Sequence, residues 1–157
     1  MRQLGKKDER RGNMQWMGGF VDHTGLPIIV VAFLGRGARP ELLPCVIDTG
    51  FNGYCFLSRG RYRHLTARNP RKVRKPIVIV GERREVSWQG EVKVRWFGRV
   101  QFEEKPISVF CTPPGISEPQ EERRFPLLGA GLFHDCVLRI DYIGEFCVLT
   151  KEGPPIV

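Results

Sequence analysis

The stretch that most constrains this chain runs Val46-Ile47-Asp48-Thr49-Gly50-Phe51-Asn52-Gly53. Two β-branched residues that suit a buried strand end on a carboxylate, and two glycines then permit a tight turn. In such a turn Asp48 points into a cleft, and the Thr49 hydroxyl is placed to hydrogen-bond backbone. An ordinary surface turn contains the same residue types, so the meaning of the triplet depends on what surrounds it.

The surroundings are punctuated as an all-β protein. Phe20-Val21 leads into a turn at Asp22 to Gly25, and Ile28 to Leu34 is a β-branched run ended by Gly35-Arg36-Gly37. Leu42 to Ile47 returns to deliver Asp48, and Cys55 to Leu57 continues as a strand. Ser58 is placed to cap a short helical turn through Leu65-Thr66-Ala67. Ile77 to Val80 and Glu85 to Trp88 read as the arms of a hairpin, with a polar tip at Gly81, Glu82, Arg83 and Arg84. Gln89-Gly90 is expected to turn the chain into Glu91 to Trp96, whose strict alternation predicts a strand with one wet face. Ile107 to Cys111 reads as a buried strand and Thr112 to Arg124 as a long exposed loop.

A second stretch completes the pattern: Phe125-Pro126-Leu127-Leu128-Gly129-Ala130-Gly131-Leu132-Phe133, then Cys136 to Tyr142. Apolar-apolar-Asp-Thr-Gly followed downstream by apolar-apolar-Gly and a short helix resembles the retropepsin-like aspartic proteases, the single-domain relatives of pepsin. Ile47 to Tyr54 and Leu127-Leu128-Gly129 are similar to the small bacterial members of that family, over roughly residues 20 to 150. The resemblance implies a closed, mostly antiparallel acid-protease barrel with one or two short helices. It implies Asp48 as the catalytic acid/base, with Thr49 and Gly50 holding its geometry. Leu127, Leu128 and Gly129 become a floor strand beneath the loop, with a helix over Leu132 to Cys136 and strands at Val137 to Tyr142 and Phe146 to Leu149. The hairpin that follows the Asp loop occupies the place of the family's lid, which makes Asn52, Gly53, Gly81, Glu82, Arg83 and Arg84 candidate substrate-binding residues.

Peptide hydrolysis by carboxylates needs two of them, one drawing a proton from water and one donating to the scissile carbonyl. No second Asp-Thr-Gly or Asp-Ser-Gly occurs, and a two-lobed chain would be about twice as long. The resemblance therefore implies a homodimer acting on a peptide or protein, with Asp48 of each copy meeting on a two-fold axis. Two carboxylates about 3 Å apart cannot both ionise cheaply, so activity is expected at acidic to near-neutral pH. No metal or organic cofactor is implied, because the nucleophile is water held between two acids. Where many viral members carry an Asp and an Arg that brace the dimer, this chain has Asn52 and Ala130, and Gly131 stands where bacterial relatives often have an acid. Losing both charged partners together leaves no orphaned charge, so the chemistry can persist with a different brace.

Composition narrows the rest. At 157 residues and 41% hydrophobic the chain suits one domain. The expected boundaries are a mobile basic tail at 1–18, the protease domain at 19–150 and a C-terminal tail at 151–157. The longest apolar run, Pro27 to Leu34, is too short to span a membrane. No signal-peptide pattern follows the charged N-terminus, so cytoplasmic residence is the default. Five cysteines, Cys45, Cys55, Cys111, Cys136 and Cys147, show no zinc spacing. Cys45 and Cys55 flank the Asp loop, with His64 and His134 as conceivable bases, but buried reduced thiols are the simpler reading. Arg59 to Lys75 carries eight Lys and Arg with no acid, matching the formal net charge of +8. That run is either a solvated basic surface or a weak, salt-sensitive site for polyanions. A non-catalytic dimeric module of the same fold, binding peptide or polyanion, is the alternative function.

Overall fold

The computed structural model of the chain describes residues 14–79, 82–115 and 125–152. In chain order its elements are Met14–Val21 (β1), Pro27–Leu34 (β2), Glu41–Ile47 (β3), Cys55–Leu57 (β4), Arg59–Thr66 (α1), Arg71–Val73 (β5), Ile77–Ile79 (β6) and Glu82–Arg84 (β7). Ser87–Trp96 (β8), Glu103–Cys111 (β9), Leu127–Leu128 (β10), Ala130–Phe133 (α2), Val137–Asp141 (β11) and Phe146–Glu152 (β12) complete the order. Strand alternation sends every second residue inward. Ile29, Val31 and Phe33 of β2 thus meet Leu43, Cys45 and Ile47 of β3, Val92 and Val94 of β8, Ile107 and Val109 of β9 and Leu128 in one buried core.

Six strands close around that core. β2 pairs antiparallel with β3 and, at its far end, with β8, where Phe33 lies opposite Val94. β8 pairs antiparallel with β9, which runs parallel to β4. The two-residue β10 fills the remaining gap, antiparallel to β4 and parallel to β3. The architecture is therefore all-β, a closed and mostly antiparallel barrel, and closure removes exposed edges from these six strands.

A three-stranded wing, β1, β12 and β11, extends from the barrel. β1 pairs with β12 from Met14 to Phe20 but with β2 only from Gly19 to Val21. The attachment depends on a glycine. A Cβ at Gly19 would lie 1.9 Å from the Ile28 carbonyl oxygen, so only glycine allows the approach. Residues 14–18 are strand, a correction to the N-terminal tail. Gln15 is a polar residue that β1 points inward. It donates through Nε2 to the Gly98 carbonyl at 2.8 Å and accepts from the Gly98 amide at 3.2 Å. At the other terminus Lys151 and Glu152 continue β12 opposite Gln15 and Met14, so the strand runs past the expected boundary at 150. Residues 1–13 and 153–157 lie outside the described residues.

Three local expectations also change. Gln89-Gly90 is not a turn, because β8 runs unbroken from Ser87 to Trp96. Gly90 is there for space: a Cβ would come within 2.2 Å of the Tyr62 phenol that α1 packs against the strand. The hairpin is tighter than its sequence suggests, with Ile77 opposite Arg84 and Ile79 opposite Glu82. Glu82, Arg83 and Arg84 therefore belong to the returning arm, and the expected tip residue Gly81 lies outside the described residues. The second helix starts at Ala130, ahead of the expected Leu132. Ser58 caps α1 as expected, its hydroxyl accepting from the Arg61 amide at 3.1 Å. No helix among the described residues is long and apolar enough to cross a membrane.

Candidate active site

The Asp48 loop sits where β3 leaves the barrel, and the second sequence stretch supports it. Leu127 and Leu128 lie beside Val46 and Ile47 on one side and Phe56 and Cys55 on the other. The ladder continues into the loop, with the Asp48 amide donating to the Leu128 carbonyl at 2.9 Å. Three further bonds lock the return. The amides of Gly129, Ala130 and Gly131 donate to the carbonyls of Tyr54, Phe51 and Gly53 at 2.9, 2.9 and 3.1 Å. A Cβ at Gly129 would meet the Gly53 carbonyl oxygen at 2.1 Å, so the floor glycine is sterically required.

Within the loop, Asp48 Oδ1 accepts the Gly50 amide at 2.9 Å. The amide thus orients a half-buried carboxylate. Thr49, the next residue of the loop, is exposed. Asn52 and Gly53 both have partners within one copy. Asn52 Oδ1 accepts the Val78 amide at 3.1 Å and its own amide reaches the Val78 carbonyl at 3.5 Å, which ties the loop to β6. Gly53 lies against aromatic rings, since a Cβ would come within 2.6 Å of both Phe51 and Phe110.

Phe51 is the residue that sequence reasoning missed. It is fully buried and packs edge-to-face on Phe110 with ring centroids 5.9 Å apart. With Ile77, and with Phe56 and Leu127 at its margin, it forms a second small core that carries both the loop and the base of the hairpin. An aromatic residue among loop glycines was the available signal, because such a side chain needs a pocket. On the returning arm, Arg83 Nε pairs with Glu85 at 2.9 Å in full solvent, a contact worth little.

The other described aspartates are committed elsewhere. Asp22 closes the turn after β1, accepting from the Thr24 hydroxyl at 2.6 Å and the Thr24 and Leu26 amides at 2.9 Å. Led by the Thr24 hydroxyl, these donors hold its carboxyl below the usual range. Asp141 accepts the Ile143 and Gly144 amides at 2.9 and 2.8 Å. Asp135 pairs with Lys151 at 2.9 Å, and that hydrogen bond lowers its pKa. Asp48 alone among them sits in a glycine loop over a floor strand.

The cysteines do not compete for the role. Burial pushes the Cys45 and Cys111 thiols up to about 12 and raises the Cys55 thiol as well. His64 faces Glu41 at 3.6 Å, and His134 contacts the Gly131 carbonyl at 3.1 Å. The basic run covers α1 and β5, with Arg63, Arg68, Arg71, Lys72, Arg74 and Lys75 exposed. A cleft of about 370 Å³ lies there among Tyr62, Arg68, Asn69, Arg71 and Gln89, and it contains none of the Asp48-loop residues.

No family model matches the chain, and no curated protein matches it. Among solved structures it is similar to the EIAV protease complexed with the inhibitor HBY-793. The two are 19% identical with a TM-score of 0.42, over 73% of this chain and 90% of that one.

Proposed function

We propose that the chain is an aspartic endopeptidase that works as a homodimer, each copy contributing Asp48 to one site. The observation that carries this reading is the Asp48 loop itself: a half-buried carboxylate, oriented by the Gly50 amide, bonded through its own amide to the floor strand. In the proposed reaction the ionised carboxylate takes a proton from water as the oxygen attacks the scissile carbonyl carbon. The protonated carboxyl donates its proton to the carbonyl oxygen. Collapse of the resulting diol breaks the C–N bond, and the amine leaves with a proton from the pair. Because the two acids share one proton, the rate is highest at acidic to near-neutral pH.

In this reading Thr49 and Gly50 position Asp48, while Leu127, Leu128 and Gly129 hold the floor. Gly81, Glu82, Arg83 and Arg84 belong to the lid that closes over the peptide, and Asn52, which ties the loop to Val78, and Gly53 complete the substrate-binding set. The catalytic domain spans 14–152, and the protein acts in the cytoplasm without metal or organic cofactor. An unstructured protein substrate incubated between pH 4 and 7 tests the proposal. The parent is expected to cleave it, and Asp48→Asn to lose at least about a hundredfold in rate. Equal cleavage by both would contradict it.

A second reading is favoured by the exposed cluster on α1 and β5: a non-catalytic dimer that binds polyanions there. It requires salt-sensitive binding of a polyanion such as heparin, unchanged by Asp48→Asn and weakened by Arg71→Glu.

A further inference from the structure

The cleft beside Tyr62 and β5 is one of three that run together. A cavity of about 400 Å³ lies between the loop after β2 and the end of α1, and one of about 240 Å³ lies between that end and β8. These two share Gly35, Arg36 and Leu65, and the smaller one shares Arg68 and Glu91 with the cleft at β5. The three therefore form one groove. Its walls are held in place: Arg36 donates through Nη2 to the His64 carbonyl at 3.1 Å, and a Cβ at Gly35 would meet the Leu65 carbonyl oxygen at 3.3 Å. Arg36, Arg39, Arg68, Arg71 and Lys93 line the groove as exposed cations. Arg68 and Arg71 belong to the basic run of the sequence, whereas Arg36, Arg39 and Lys93 come from outside it. The fold thus gathers positive charge that the chain keeps apart.

We infer that this groove binds an extended acidic segment of a protein. A cleft lined by cations concentrates its field on an anionic partner, and the guanidinium fork suits carboxylates as well as phosphates. Three observations favour a peptide over a nucleic acid. Glu41 and Glu91 line the groove among the cations. A nucleic acid carries a charge at every nucleotide, which sets phosphates against both carboxylates, whereas a peptide can place a neutral residue opposite each. Single strands are held by bases stacked on aromatic rings, and the aromatic residue of this lining, Tyr62, is buried against Gly90. Leu34 and Val73, half-buried in the lining, offer apolar surface to the side chains that stand between the acids.

The inference rests on the anion binding of the second reading above and gives it a groove and a partner. It holds whether or not Asp48 is catalytic, because no residue of the Asp48 loop lines the groove.

Fluorescence anisotropy of a labelled peptide alternating Glu and Ala, titrated with the full chain at low salt, tests the inference. Arg39→Glu, Lys93→Glu and Arg71→Glu reverse one cation in each cavity, and each is expected to weaken binding about fivefold. Arg139→Glu, on β11, makes the same change in net charge and is expected to leave binding unchanged. A single-stranded oligothymidylate is expected to bind the parent more weakly than the peptide does, and Glu41→Gln/Glu91→Gln to narrow that difference. Circular dichroism confirms that each variant folds. Weakening by Arg71→Glu alone would overturn the groove and leave the basic cluster of the second reading intact. Equal weakening by all four reversals would overturn the site in favour of attraction by net charge. Oligothymidylate binding tighter than the peptide would overturn the peptide as occupant. A parent that binds heparin but not the peptide would overturn the inference alone, and one that binds neither would overturn the second reading with it.

Discussion

Asp48 is held by backbone on three sides, and that determines which neighbouring residues are open to change. Gly129 is not one of them. A methyl group there meets the Gly53 carbonyl oxygen at 2.1 Å, so Gly129→Ala must push the loop off the floor strand. The expected cost is about 1–3 kcal/mol in denaturant unfolding, together with loss of cleavage. Asn52 acts through one atom. Its Oδ1 accepts the Val78 amide, so Asn52→Asp keeps an acceptor while Asn52→Ala removes it. Hydrogen exchange at Val78 is expected to quicken about fivefold in Asn52→Ala, the equivalent of about 1 kcal/mol, and to change little in Asn52→Asp. Equal protection in the two variants would show that the loop and hairpin are joined by other means.

At the scale of elements, the two-residue β10 matters more than its length suggests. Among the described residues it is the only strand that bridges β3 and β4, and Leu128 is fully buried within it. Leu128→Ala is expected to cost about 2–5 kcal/mol, read as a shift in the urea midpoint at constant slope. The barrel was legible in advance because its strands show their pattern locally. Ile28 to Leu34 is β-branched, Glu91 to Trp96 alternates, and the Asp-Thr-Gly and Leu-Leu-Gly stretches do form adjoining structure. What escaped detection depends on partners distant in the chain. Gly90 looks like a turn until Tyr62 is packed upon it, and Gln15 looks like a tail until Gly98 bonds to it. Phe51 looks out of place until Phe110 and Ile77 enclose it. A glycine read by itself announces freedom, whereas at Gly19, Gly90 and Gly129 it marks crowding.

For the whole molecule, the buried thiols give the fold an alkaline limit. Burial raises Cys45 and Cys111 from the ordinary value of 9.0 to about 12. The folded state therefore keeps its thiols protonated where the unfolded chain would release the protons. That contribution is fully present below pH 9 and is lost as pH rises from 9 towards 12. Thermal melts under reducing conditions are expected to show a midpoint falling steadily above pH 9, and a Cys45→Ala/Cys111→Ala variant is expected to flatten the decline. The larger claim is that one chain holds half a site. Subunit exchange between parent and Asp48→Asn at constant total concentration tests it most directly. If each site needs an intact Asp48 from both copies, activity follows the square of the parent fraction and falls to about a quarter in an equal mixture. Activity falling in simple proportion, to about half, would mean that each chain acts alone and would contradict the account.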